Sequence, residues 1–115
     1  MAIAIPDLLK SLDQVVRIPS VSSTSADSDM SNEAIINHLA ETLESLGFSN
    51  EIVPCVTAGK FNLISTLGSG PGGLVLAGHT DTVPYDGELW SQDPFKLTEK
   101  DGKLCLLYTS PSPRD

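Results

Sequence analysis

The sequence has little that would mark a membrane-bound, secreted or nucleic-acid-binding protein. It has seven basic residues against fifteen acidic ones, a formal net charge of −8, and an acidic surface repels phosphate backbones. It has no apolar run long enough to span a bilayer and no basic amphipathic stretch. The apolar start at residues 1–6 is too short for a signal peptide and has no basic residue. We therefore expect no nucleic-acid partner, no membrane partner and a cytoplasmic location.

Other motifs that would carry chemistry are missing as well. The two cysteines, Cys55 and Cys105, have no metal-type spacing, and without a secretory signal we interpret them as reduced thiols. Nothing in their positions argues for a disulfide. There is no Gly-x-Ser-x-Gly nucleophile elbow, and the glycine-rich segment 68–73 lacks the lysine of a phosphate loop. These absences argue against a serine hydrolase and against a nucleotide site.

What is present is typical of a globular domain, with 40% hydrophobic and 19% charged residues. Apolar residues at helical spacing predict two helices, the first stopped by Pro19 and the second by Gly47. Ser31 or Asp29 can cap the second helix. An Asp-Gly pair at 101–102 predicts a hairpin. The predicted helices are 6–18 and 32–46, the strand-length segments are 48–56, 61–67 and 73–79, and the hairpin arms are 95–98 and 103–107.

The third strand-length segment differs from the others because Leu74-Val-Leu-Ala77 is apolar at consecutive positions. A strand covered on both faces has this pattern, as in a sheet enclosed by helices. Two helices followed by strands therefore predict an α/β layered domain.

The strongest candidate site is Gly78-His-Thr-Asp-Thr-Val-Pro84, at the carboxyl end of that predicted strand. Ligand sites in open α/β sheets form beyond such strand ends. His79 and Asp81 would point to one side, since the side-chain period of a strand is two. Neutral imidazole binds zinc, and a nearby carboxylate fixes its tautomer. The competing interpretation is a structural histidine, with Asp81 starting a turn.

Three acidic residues of the following loop could add ligands, although a solvated acidic loop is the simpler interpretation. They are Asp86, Glu88 and Asp93. His38 is predicted to be an exposed helix residue, and Cys55 a buried, unreactive thiol.

Beyond these residues, the sequence resembles the dinuclear zinc amidohydrolases, a family of deacetylases, desuccinylases, aminoacylases and glutamate carboxypeptidase. The resemblance rests on the segment 74–84, then Trp90, Asp93-Pro-Phe95 and Leu97-Thr-Glu-Lys-Asp-Gly-Lys-Leu104. Arg17-Ile-Pro-Ser-Val21, Leu46-Gly-Phe48 and Lys60-Phe-Asn-Leu63 fit the same pattern. Within this family, Thr82-Val-Pro84 and Asp93-Pro-Phe95 favour the acetylornithine deacetylase branch.

The resemblance implies a helix-sheet-helix layered catalytic domain of the zinc aminopeptidase-like type, of which residues 1–104 are the N-terminal part. It implies His79 as a zinc ligand and Asp81 as the residue that holds its imidazole. A complete site would hold two Zn²⁺ ions, with Co²⁺ as an alternative. For the full-length protein, the resemblance implies hydrolysis of N-acetylornithine to ornithine and acetate in arginine biosynthesis. It also implies that the full-length protein is a homodimer.

The match ends after Leu104, where the family expects a glycine-rich segment that carries the metal-bridging aspartate. Residues 105–115 are therefore expected to be a non-native or disordered tail, and the 115-residue chain is expected to be inactive. Two alternatives stay open. One is a desuccinylase or aminoacylase of the same family, and the other is a non-catalytic α/β binding module with a structural His79.

Overall fold

The computed structural model describes residues 5–107, and these form two helices and two small antiparallel sheets. This arrangement confirms the predicted α/β class. No helix in this part of the chain is both long and apolar enough to cross a bilayer. In chain order the elements are α1 (Ile5–Val16), α2 (Glu33–Ser45), β1 (Ser49–Pro54), β2 (Phe61–Thr66), a 3₁₀ turn (Gly87–Leu89), β3 (Thr98–Lys100) and β4 (Lys103–Cys105).

Both predicted helices are confirmed, each within one or two residues of the expected ends. In α1 the last hydrogen bonds are Arg17 N–H to Asp13 O and then Ile18 N–H to Val15 O, a tighter turn that comes directly before Pro19. In α2 the side chains of Ile35 and Ile36 are buried in the core. The chain leaves α2 through Gly47, whose φ of 92° is easily adopted only by glycine.

The start of α2 is held by three neighbouring polar residues with separate tasks. The Ser31 hydroxyl accepts the N–H of Glu33, the first residue of α2, at 3.1 Å, but the N-cap position is Asn32 and not the predicted Ser31 or Asp29. Asn32 instead bonds the backbone of Phe61 at the start of β2. Asp29, the other predicted cap, accepts from the Ser23 N–H and from Lys60 Nζ. The helix start is thus fixed both to its own first turn and to the sheet.

β1 and β2 form an antiparallel pair whose register runs from Ser49 opposite Thr66 to Pro54 opposite Phe61. Residues of β2 alternate between half-buried and exposed, as expected for a sheet with one covered face. Helix α2 packs against this pair, and Asn50 Nδ2 donates to Ala40 O of α2 at 2.8 Å.

The prediction that residues 73–79 form a buried strand is wrong for the described chain. Leu74, Val75 and Leu76 are 84%, 89% and 86% exposed, and the segment joins no ladder. A two-sided apolar strand needs neighbours on its edges and its faces, and within residues 5–107 both β1 and β2 pair only with each other. Its apolar pattern therefore has nothing to pack against here.

The predicted hairpin is confirmed, with β3 and β4 joined at Asp101 and Gly102, but its first arm is 98–100 and not the predicted 95–98. Both turn residues have positive φ, 52° and 72°, which is the requirement of the tight turn that Asp-Gly favours. Beyond it, Leu107 is buried and its N–H donates to Pro94 O. Of the segment predicted as a tail, residues 105–107 therefore lie within the packed part, and 108–115 lie outside the described residues.

Candidate functional site

The candidate site lies where the chain returns to the loop that follows α1. Val21 and Thr82 form an isolated parallel bridge. Two backbone hydrogen bonds accompany it, Ser22 N–H to Thr82 O at 2.9 Å and Thr82 N–H to Ser20 O at 3.1 Å. This short parallel contact fixes residues 80–82 against the body of the protein, although the chain just before them is exposed.

His79 and Asp81 are brought together as the sequence predicted. Nδ1 of His79 lies 3.2 Å from Oδ1 of Asp81 and 3.2 Å from the Asp81 main-chain oxygen. Both neighbouring atoms are acceptors, so this geometry favours the proton on Nδ1. In that tautomer the lone pair is on Nε2, the atom that would bind a metal. The two side chains are 52% and 56% exposed, so incoming ligands can reach the pair.

An apolar cavity of about 460 Å³ adjoins the pair. Its walls come from both helices and from the chain on either side of the hairpin, and they include Leu12, Ile35, Phe95 and Leu107 beside His79. The site thus combines one imidazole and one carboxylate with an apolar wall. A polar pair beside an apolar surface is a common composition for a small-molecule site.

The donors present do not complete a metal site. Within residues 5–107 no three side chains among the histidines, cysteines, aspartates and glutamates converge closely enough to hold an ion. Catalytic zinc sites use about three protein ligands and a water. His79 and Asp81 fit one ligand of such a site and the carboxylate that orients it, but they do not supply the other protein ligands.

The acidic residues of the following loop have local tasks. Asp86 accepts the Glu88 N–H at the 3₁₀ turn, and Asp93 accepts the Phe95 N–H. His38 lies on α2 and is half-buried, not exposed as predicted. Both cysteines are free thiols and half-buried, so Cys55 is not buried as predicted. The simpler interpretation of the acidic loop therefore fits the structure better than an extended ligand set.

Sequence reasoning missed one residue of the site, Ser20. This side chain is buried, and its hydroxyl donates to the carbonyl of Thr80, sixty residues along the chain. The only sequence signal was its place in Arg17-Ile-Pro-Ser-Val21, which carries part of the family resemblance but gives no role.

Comparison with known proteins gives relatives that are named as deacetylases. No family model matches the chain. It is 58% identical over 111 residues to the acetylornithine deacetylase of Proteus mirabilis, 51% identical over 111 residues to that of Photorhabdus laumondii, and 50% identical over 107 residues to that of Pasteurella multocida.

These matches cover 96%, 96% and 92% of this chain but only 29%, 29% and 28% of the respective relatives. Identity at this level over nearly the whole chain confirms the resemblance to acetylornithine deacetylases. The chain is homologous to a segment of these enzymes and spans less than a third of their length.

Proposed function

We propose that the protein to which this segment belongs hydrolyses an N-acyl amino acid, with N-acetylornithine as the substrate and ornithine and acetate as the products. The observation that carries the proposal is 58% identity to an acetylornithine deacetylase across 96% of the chain. The His79–Asp81 geometry supports it, because the pair has the form of a metal ligand with its orienting carboxylate. A biosynthetic role, in arginine biosynthesis in the cytoplasm, is part of the same proposal.

The proposed cofactor is zinc, with two ions in the complete site and cobalt as an alternative metal. His79 would bind one ion through Nε2, and Asp81 would hold the ring in the tautomer that leaves Nε2 unprotonated. The remaining ligands would come from outside the described residues, since these offer no third converging donor. When bound, the metal supplies an acidified water and polarises the amide carbonyl.

The layered fold is proposed on the same grounds. Leu74–Leu76 would become an internal strand of a sheet that further chain completes, with helices on its faces. A homodimer of the full-length protein belongs to this proposal as well.

The test is an assay of an intact protein that carries this segment, with N-acetylornithine compared against N-succinyl-diaminopimelate and a simple N-acyl amino acid. We expect the highest kcat/KM with N-acetylornithine, loss of activity after chelation and recovery with zinc. His79→Ala should lower kcat/KM more than about 100-fold, and Asp81→Asn about 10–100-fold, since orienting partners of metal ligands have effects of that size. His38→Ala, the same change on α2, is the matched control.

Two results would contradict the proposal. One is activity that survives chelation, and the other is an equal effect of His79→Ala and His38→Ala. Preference for the succinylated substrate or the simple N-acyl amino acid would indicate a desuccinylase or an aminoacylase, and no hydrolysis at all would favour a binding module. The 115-residue chain by itself should bind zinc only weakly and hydrolyse nothing, which calorimetry and the same assay would measure.

A further inference from the structure

Ser20 contacts the candidate site although it lies about sixty residues before it in the sequence. It follows Pro19 in the loop after α1, and the residue is 5% exposed. A buried hydroxyl needs a partner, and here the partner is the carbonyl oxygen of Thr80, the residue between His79 and Asp81. The hydrogen bond joins positions 20 and 80, so it has no role in local secondary structure.

The same residue also holds the chain on the other side of Asp81. The Ser20 main-chain oxygen accepts the N–H of Thr82 at 3.1 Å. A peptide unit is planar, so fixing one of its polar atoms fixes the direction of the other. The Thr80 carbonyl and the Asp81 N–H share one unit, and the Asp81 carbonyl and the Thr82 N–H share the next. Ser20 therefore orients both peptide units that flank Asp81.

These two units determine how the acceptors of Asp81 are placed beside Nδ1 of His79. The Asp81 main-chain oxygen, 3.2 Å from Nδ1, belongs to the unit that the Ser20 carbonyl holds. The Asp81 side chain starts from the carbon between the two units, so the direction in which it leaves the backbone also follows their orientation. Behind Ser20 the support is firm, because Val21 is 2% exposed and its carbonyl accepts the Met30 N–H at 2.8 Å.

We propose that Ser20 is a positioning residue for the His79–Asp81 pair. Its main-chain oxygen fixes the unit that carries the Asp81 carbonyl, and its hydroxyl fixes the unit before Asp81. Together they keep the Asp81 acceptors beside Nδ1, so that the proton stays there and the lone pair is on Nε2. The importance of this for catalysis rests on the proposed function. The positioning itself does not, because it concerns the geometry of this chain alone.

The test uses nuclear magnetic resonance of the 115-residue chain with ¹⁵N-labelled histidine, at a pH where the ring is neutral. The ring-nitrogen shifts report the tautomer of His79, and amide hydrogen exchange of Thr82 reports the Ser20 main-chain bond. Ser20→Ala removes the hydroxyl but keeps the main-chain oxygen. Ser45→Ala is the matched control, because the Ser45 hydroxyl also donates to a carbonyl, Thr42 O at 2.6 Å, at the exposed end of α2.

In the unmodified chain and in Ser45→Ala we expect His79 to be mainly Nδ1-protonated. Ser20→Ala should shift it toward the Nε2-protonated form, while the amides of the β1–β2 pair stay protected. Ser20→Thr, which keeps a hydroxyl, should restore the original shifts. Should Ser20→Ala unfold the chain, Ser20→Cys takes its place in the test, because a thiol is a weaker donor than a hydroxyl. We then expect His79 in Ser20→Cys to be shifted toward the Nε2-protonated form relative to Ser20→Thr.

The proposal is overturned if the His79 shifts of folded Ser20→Ala coincide with those of Ser45→Ala. It is equally overturned if Ser20→Thr keeps Thr82 protected but shows the altered tautomer. Neither result depends on any hydrolase activity, so this inference and the proposed function can fail separately.

Discussion

The side chain of Asn32 links the start of α2 to the start of β2. Its Oδ1 accepts the Phe61 N–H at 2.8 Å and its Nδ2 donates to the Phe61 carbonyl at 2.8 Å, so the residue before α2 satisfies both backbone groups at the start of β2. Those groups are partly removed from water, and leaving them without partners is unfavourable. One amide side chain therefore joins the start of α2 to the start of β2.

Asn32→Ala should lower the free energy of unfolding by about 1–3 kcal/mol, since it removes two hydrogen bonds and leaves the Phe61 backbone without these partners. Urea denaturation measures the change. Asn37→Ala, the same substitution at an exposed position of α2, should stay within about 0.5 kcal/mol of the unmodified chain. Equal effects of the two variants would show that the Phe61 contact contributes nothing.

At the scale of elements, two carboxylates join segments that are far apart in the sequence. Asp13 on α1 accepts from Arg17 Nε at 2.7 Å and from the Leu97 N–H at 3.0 Å, which ties the helix to the chain entering β3. Asp29 accepts from Lys60 Nζ at 2.8 Å, which ties the loop before α2 to the β1–β2 connection.

These contacts make stability depend on pH. The hydrogen bond from Arg17 lowers the pKa of Asp13, and that from Lys60 lowers the pKa of Asp29, each from an ordinary value of 3.8. A lowered folded-state pKa means that the stabilisation is present above 3.8 and is lost as the pH falls through the folded-state pKa.

We therefore expect the urea midpoint to fall as the solution is acidified below pH 3.8. Asp13→Asn and Asp29→Asn should each be less stable at neutral pH and lose less on acidification. Asp27→Asn, at an exposed turn position, should follow the unmodified chain. Parallel acid profiles for all four proteins would contradict this account.

At the scale of the whole molecule, the dominant feature is apolar surface without cover. Leu74, Val75 and Leu76 are more than four-fifths exposed and lie outside any helix or strand. Unpaired apolar chain of this kind favours association with other strands. A cavity of about 460 Å³ between α1, α2 and the chain near His79 also lies within the described part. The free 115-residue chain should therefore be marginally stable and prone to self-association.

Val75→Glu should reduce that association, because it places a charge in the middle of the apolar segment. Val56→Glu makes the same change at another fully exposed valine, outside the segment, and should have a much smaller effect. Sedimentation velocity over a range of concentrations measures the difference. A sharp, cooperative thermal transition of a monomeric unmodified chain would contradict the expectation.

The features determined by the sequence alone are the local ones. Apolar spacing with Pro19 and Gly47 predicted both helices, and Asp101-Gly102 predicted the hairpin, because each signal acts through backbone geometry within a few residues. The proximity of His79 and Asp81 was predicted for the same reason, since two positions separate them.

Only the tertiary structure decided what depends on distant partners. The apolar pattern of Leu74–Leu76 predicted a buried strand, but burial requires neighbouring strands, and within residues 5–107 none lies beside this segment. Ser20 gave no signal of its contact with Thr80, because a hydrogen bond across sixty residues leaves no periodic pattern in either segment. Local pattern determines which elements a chain can form, and the rest of the fold determines which groups those elements meet.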